Sequence, residues 1–285
     1  MASCAGTGEL RGSWLRRLKR RLGSPRVELV GPKLVSRFAE LYPSATFVEI
    51  GAHDGAWSDQ LRSSILNREW TGVMVEPVPY LFDRLRDNYE SLDRVAVENA
   101  AISDTEGLQP FYRLEKVDDP RREGLPSWYD AIGSLSRENL LSHRDLIPDI
   151  EQRLVTTEVP CMTFESLCGK HGLGRIDLLM VDTEGHDWVV IEGIDLDVHR
   201  PVLLVYEHQH LDSSDRAECH AHLERHGYEI REEWWDTWCL HSSANEQLKR
   251  VWRRLRWQVR GVSSREPREA MMDAWRPGSG GRPPA

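Results

Sequence analysis

Ile176-Asp-Leu-Leu-Met-Val181 is a near-continuous apolar run that stops at a carboxylate, Asp182, and the chain repeats this design. Thr46-Phe-Val-Glu-Ile50 is followed at once by Gly51-Ala-His-Asp-Gly55, and Thr71-Gly-Val-Met-Val-Glu76 stops at Pro77. Arg94 to Asn99 and Val202-Leu-Leu-Val-Tyr206 complete the set, the last leading into Glu207 and His208. Strands that read as apolar throughout belong to parallel sheets covered on both faces, because a sheet with one wet face would alternate. Amphipathic segments lie between them. One helix is expected over about Ser58 to Leu66, and another where Leu81, Phe82, Leu85 and Tyr89 mark a face. This alternation specifies an α/β fold, a doubly wound and mostly parallel sheet with helices on both faces. Tyr228-Glu-Ile230 and Thr237-Trp-Cys-Leu240 are expected to close it as an antiparallel pair.

Charge is divided unevenly along the 285 residues. Residues 1–26 carry seven Lys/Arg against one Glu, and residues 249–285 carry ten against three acids. With a net charge of -9 for the whole chain, the middle is strongly acidic. An acidic body repels a phosphate backbone, so nucleic acid is not expected as the main partner. At the ends, Trp14, Leu15, Leu18 and Leu22 recur at helical spacing among arginines, as do Val251, Trp252, Leu255 and Val259. Such helices suit an anionic membrane surface or nucleic acid. The expectation adopted is that they pack on the acidic body and neutralise it. No stretch reaches the roughly 20 apolar residues of a membrane span, and no apolar signal-peptide core is seen. The five cysteines form no CxxC pair and are expected as reduced thiols of a cytoplasmic protein. The organisation expected is a basic segment over 1–30, the sheet domain over 31–245, a basic helical segment over 246–276 and a disordered tail over 277–285. Glu115 to Trp128, charged and holding two prolines, is expected to be a mobile loop.

In open α/β sheets ligands bind beyond the C-terminal ends of the strands. Gly51 to Gly55, Glu76, Asn99, Asp182 with Glu184, and Glu207 with His208 all fall on that edge. A Gly-x-x-x-Gly turn lets backbone approach a ligand closely, because neither glycine carries a Cβ. Glu76, at the end of the next strand, can accept both hydroxyls of a ribose, which implies an adenosine-type cofactor. A dinucleotide fingerprint needs three glycines around a pyrophosphate, and His53 and Ala56 stand where two of them belong. Asp54 would also repel a pyrophosphate. S-adenosylmethionine (SAM) carries no phosphate but a sulfonium, so Glu49 and Asp54 favour it over NAD.

Phe47-Val-Glu-Ile-Gly-Ala-His-Asp-Gly55 and Trp70-Thr-Gly-Val-Met-Val-Glu-Pro77 resemble motifs of the FkbM family of SAM-dependent methyltransferases. Asn99-Ala-Ala-Ile-Ser-Asp104, Ile132-Gly-Ser-Leu135, Val159 to Phe164 and Ile176 to Gly185 extend the resemblance, in order, over about residues 45 to 211. The resemblance implies a seven-stranded class I methyltransferase sheet with one strand reversed near the end. It also implies O-methylation of a small hydroxylated acceptor, a sugar or secondary metabolite. By the same resemblance Glu49, Gly51, Ala52, His53 and Gly55 surround the methionine part of SAM, with His53 standing where the family usually has Asn. Glu76 is the ribose acid, Asn99 and Ala101 lie beside the adenine, and Ser134 lies near the mouth of the site.

A sugar hydroxyl is a weak nucleophile near neutral pH, and a positioned base contributes about 10²–10⁴-fold. Asp182, Glu184, His186, Glu207, His208 and His210 all qualify by position. Asp182 is expected as base or orienting group, His208 as the next candidate base, and Glu184 as a third candidate or the anchor of the following helix. Asp182, Glu207 and His208 are also ligand types a divalent metal accepts. Trp57 and Trp128 are expected to line the substrate pocket or to face the sulfonium through a cation–π contact, and Trp234, Trp235 and Trp238 to fill the core. The alternatives are an NAD-dependent oxidoreductase or epimerase on a similar sheet, and a non-catalytic membrane-surface or partner-binding module.

Overall fold

The computed structural model describes residues 30–255 and residue 257. The N-terminal basic segment, Val259 and the Gly/Pro-rich tail lie outside the described residues. Strands β1 (Thr46–Ile50), β2 (Thr71–Val75) and β3 (Val95–Glu98) come first in the chain. β4 (Ala101–Ile102), β5 (Gly107–Leu114) and β6 (Leu154–Met162) follow. β7 (Leu178–Val181), β8 (Leu203–Glu207), β9 (Tyr228–Glu233) and β10 (Asp236–His241) complete the series. Seven of them form one sheet in the order β3-β2-β1-β7-β8-β10-β9. Pairing is parallel from β3 through β8, and β10 runs antiparallel to both β8 and β9. The expected sheet, with its single reversed strand, is the one observed.

Successive residues of a strand face opposite sides, and both sides here are apolar. Phe47, Met74, Leu178, Leu203, Trp238 and Leu240 face one core, which the helices Val30–Leu41, Pro79–Tyr89 and Glu246–Arg254 cover. Val48, Ile50, Val75, Leu179, Val181 and Leu204 face the other, under Phe164–His171, Asp187–Glu192 and Ser213–Arg225. The helix expected from Ser58 begins later, at Arg62. Ser58 has φ 56° and Asp59 accepts from the amides of Leu61 and Arg62, so these residues form a turn. The N-terminal amides of Val30 and Gly31 donate to the Glu233 carboxylate from across the fold, at 2.7 and 2.9 Å.

Between β3 and β7 the chain builds a second sheet, β4-β6-β5, that the sequence reading did not anticipate. A third core sits beside it, made of Leu114, Val117, Leu125, Trp128, Tyr129, Leu140 and Ile147 among others. The segment Glu115 to Trp128 was expected to be a mobile loop. Its Val117, Leu125 and Trp128 are buried, and Pro120–Glu123 forms a 3-10 turn, so it is packed structure. Of the three late tryptophans only Trp238 is buried; Trp234 and Trp235 are partly exposed. No helix among the described residues is long and apolar enough to cross a membrane.

The basic helix Glu246–Arg254 is an integral part of this body. Asn245 caps its start by accepting from the Leu248 amide, and Leu248 and Trp252 are buried in the first core. Removing a buried tryptophan costs about 3–5 kcal/mol. Trp252→Ala is therefore expected to lower unfolding free energy by that amount in urea denaturation. A loss below about 1 kcal/mol would show that this helix does not hold the core together.

Candidate functional site

The parallel strands deliver their C-terminal ends to one edge, and local geometry there is set by Gly51. Its φ is 83°, and an added Cβ would lie 1.7 Å from the Asp182 carbonyl oxygen. The amides of Gly51 and Ala52 both donate to the Val75 carbonyl, at 2.9 and 3.0 Å, and the Asp182 amide donates to Ile50. The ends of β1, β2 and β7 are thereby laced together. Gly55 (φ 65°) is equally confined, since a Cβ would strike Leu85 and Tyr89 at 2.5 Å. Its carbonyl accepts from the Tyr89 hydroxyl and from Arg62.

Two carboxylates dominate this part of the edge. Glu49 is 5% exposed and its Oε2 has no hydrogen-bond partner. Burial, reinforced by Asp59 and Asp182, holds its carboxyl well above the usual range. Glu76, also 5% exposed, accepts from the His53 amide at 2.9 Å and from the Val78 amide at 2.8 Å. Burial pushes its carboxyl up to about 7 against those hydrogen bonds. The Asn99 side-chain amide donates to the carbonyls of Glu76 and Pro77, fixing the loop after β2. Ala101 is buried in β4 opposite Cys161. His53 has φ 52° and its ring lies between Asp54 (3.3 Å) and Asp130 (3.7 Å). Burial opposes its charge, but the two carboxylates outweigh burial and push the imidazole up to about 9. Trp57 packs its ring 5.4 Å from that of His53, at the edge of the third core.

The other half of the edge lies beyond β7 and β8. Asp182 is exposed, and Glu184 follows with φ 51°. Ser134, 1% exposed, donates its hydroxyl to the Glu184 carbonyl at 2.8 Å, and Asn139 donates to the same oxygen at 3.1 Å. Ser134 therefore positions the Asp182 loop. The ligand-type atoms of Asp182, Glu184 and Glu207 lie within 4.8 Å of one another. His210 Nε2 is 3.0 Å from Glu184 Oε2 and 3.8 Å from Glu207 Oε2. Asp187, which the sequence reading did not select, is fully buried behind this group. It accepts from the Thr183 hydroxyl and from the Gly185 and Glu207 amides, and burial pushes it up to about 7.

The sequence-derived metal set of Asp182, Glu207 and His208 is not assembled. His208 is turned toward Thr237, 2.8 Å from its Nδ1, with Arg216, His220 and Glu232 as its charged neighbours. Burial, aided by Arg216, pushes its imidazole down to about 4. Glu184 takes the place of His208 beside Asp182 and Glu207. His186 likewise faces Ser103, at 3.1 Å, rather than the carboxylates.

A glycine turn, a buried carboxylate at the end of the next strand and an exposed carboxylate after β7 thus share one edge of a mostly parallel α/β sheet. A family model described as the methyltransferase FkbM domain matches residues 49–230, and the chain belongs to that family. A 2-O-methyltransferase, NoeI, from Sinorhizobium fredii is 29% identical over 152 residues, covering 53% of this chain. The match spans 58% of that relative's length. Among solved structures, the methyltransferase FkbM from Methylobacillus flagellatus is 12% identical, with TM-score 0.44, over 70% of this chain and 44% of that one. A putative caffeoyl-CoA O-methyltransferase from Staphylococcus aureus is 11% identical, with TM-score 0.38, over 81% of this chain and 100% of that one.

The shifted groups give the ligand-free protein a defined pH response. Glu76, Asp187 and Asp236 hold protons up to about 7, and His53 holds one up to about 9. Above pH 6.5 the folded chain therefore binds more protons than the unfolded chain, and stability falls as pH rises. His208 acts with the opposite sign, but only between about 4 and its ordinary 6.5. The thermal midpoint is expected to drop by more than about 2 °C between pH 6.5 and 9 in a calorimetric scan. A midpoint that rises over this interval would contradict the assigned protonation states.

Proposed function

We propose that the protein transfers the methyl group of SAM to a hydroxyl of a small hydroxylated acceptor, a sugar or secondary metabolite, in the cytoplasm. The observation that carries this reading is Glu49, a buried carboxylate with an oxygen that accepts no hydrogen bond. An ionised carboxylate out of water costs several kcal/mol unless a positive charge is set against it. SAM brings a sulfonium and an ammonium, whereas the pyrophosphate of NAD would meet Glu49, Asp54 and Asp59. The residues present thus fit SAM. The name of the S. fredii relative, a 2-O-methyltransferase, supports oxygen as the acceptor atom.

In this reading Glu76 takes the ribose hydroxyls, which replace or share its two amide donors. The Gly51–Ala52 turn, His53 and Gly55 form the bed for the methionine part, and the Asn99–Ala101 segment flanks the adenine. When bound, SAM supplies a methyl carbon already activated by its sulfonium. Asp182, exposed beyond β7, orients the acceptor hydroxyl and accepts its proton as the oxygen gains the methyl group. Glu184 holds the loop from the other side, through its carbonyl bonds to Ser134 and Asn139. Fixing acceptor and donor in line contributes roughly 7–11 kcal/mol of the barrier reduction.

The test uses a labelled methyl donor and a panel of sugars and hydroxylated metabolites. Glu76→Ala is expected to weaken binding of S-adenosylhomocysteine by about 10- to 150-fold, the loss of a charge-assisted hydrogen bond. Asp182→Ala is expected to keep that binding and lose about 10²–10⁴-fold in turnover. Methylation by Asp182→Ala at the rate of the unaltered protein would remove Asp182 from the mechanism.

A further inference from the structure

His143 is a buried histidine from the insert, 7% exposed, and no motif in the sequence marks it. Its ring lies 5.2 Å from that of His210, which follows β8 on a different part of the chain. Ligand-type atoms of His143, Glu184 and His210 all lie within 4.8 Å of one another. Three separate segments therefore bring two imidazoles and a carboxylate to one point, and Glu207 stands next to it, 3.8 Å from His210. We propose that His143, His210 and Glu184 bind a divalent transition metal, with Glu207 as a further oxygen donor.

The donor chemistry selects the class of ion. Two nitrogens and a carboxylate suit zinc and its first-row neighbours, while magnesium and calcium prefer oxygen throughout. Donors on one zinc sit about 2.0–2.1 Å from it, so two of them stand roughly 3.4 Å apart in a tetrahedral site. The His210–Glu184 pair, at 3.0 Å, is already close to that separation, and the whole group lies within 4.8 Å. Backbone also fixes the His143 ring, as it does that of His226. Its Nδ1 lies 3.2 Å from the Asn139 carbonyl and 3.3 Å from that of Leu140. Carbonyls only accept, so Nδ1 carries a proton, and Nε2 is the ring nitrogen proposed as the ligand atom. A backbone carbonyl behind the non-ligating nitrogen is the outer support that metal-binding histidines have. Trp128 packs against the same ring at 5.3 Å and holds its plane.

The position also gives the ion a use, which rests on the methyl-transfer reading. Asp182 and Glu184 belong to one group within 4.8 Å, so the centre adjoins the carboxylate assigned to the acceptor hydroxyl. The ion supplies Lewis acidity there, lowering the pKa of a hydroxyl beside it toward the range a carboxylate can service.

The experiment begins with full-length protein stripped by a chelator and then titrated calorimetrically with Zn²⁺. Binding of S-adenosylhomocysteine is measured on the same samples. One Zn²⁺ is expected per chain at micromolar or tighter affinity, with Co²⁺ giving the visible absorption of nitrogen and oxygen coordination. Mg²⁺ in excess is expected to displace neither. His143→Gln and His210→Gln are expected to weaken Zn²⁺ binding at least about 10-fold, the usual effect of losing a ligand or its support. His208→Gln, outside the group, is expected to leave it unchanged. Stripped protein that binds S-adenosylhomocysteine but no Zn²⁺ overturns the metal site and leaves the methyltransferase reading intact. Zn²⁺ binding that is equally strong in both His143 and His210 variants overturns the ligand assignment. Protein that binds Zn²⁺ as expected but no S-adenosylhomocysteine upholds the metal site and counts against the methyltransferase reading alone.

Discussion

The Asp182 carbonyl oxygen occupies the place a Cβ on residue 51 would take, 1.7 Å from its ideal position. Everything at the functional edge follows from that contact. With no side chain at Gly51, the ends of β1 and β7 close on each other, and the Gly51 and Ala52 amides reach the Val75 carbonyl of β2. Three strand ends are thereby fixed in register, and Glu49, Glu76 and Asp182 ride on them. Any other residue at 51 would have to push β7 away, in a backbone region where side chains are strained as well. The cofactor bed and the acceptor carboxylate proposed above are thus coupled through one backbone contact.

The same edge concentrates an electrostatic cost. Glu49, Asp59, Glu76, Asp187 and Asp236 all have carboxyls raised by burial. Hydrogen-bonded acids such as Asp187 are partly compensated by the amides and hydroxyl they accept from. Glu49 is not, and its raised carboxyl is the group to which the proposed function assigns a cationic ligand. The apolar cores on both sheet faces, together with the buried Trp252 of the basic C-terminal helix, hold this acidic edge in place. That helix joins the body through its apolar side, Leu248 and Trp252.

How much of this was legible in the sequence depended on burial. β1, β2, β7 and β8 are covered on both faces, so their apolar runs stood out without alternation. β5 and β6 were invisible for the opposite reason. β5 is an edge strand with a mixed burial pattern and holds Pro110, and β6 holds Pro160 beside a β4 that pairs only with Cys161 and Met162. Proline is tolerated where pairing is one-sided, but in the sequence it argues against a strand. Glu49, Gly51 and Glu76 were readable because strand ends fix their direction. His208 and His210 were not separable, because the chain leaves β8 at Glu207 and turns, so the two-residue alternation of a strand no longer applies. His143 came from the unanticipated insert, and only folding brings it to His210. Asp187 offered a weak signal, an acid in the first turn of a helix after glycine, which fits a local helix cap as well as a strand-to-loop tie.

Calorimetry of the purified chain with SAM, S-adenosylhomocysteine and NAD in parallel addresses the claim that this edge is built for a cationic adenosyl cofactor. Binding of both sulfur ligands at micromolar affinity, with no heat from NAD, is the predicted result. Binding of NAD with neither sulfur ligand, or of none of the three, would contradict the role given to Glu49 and Glu76.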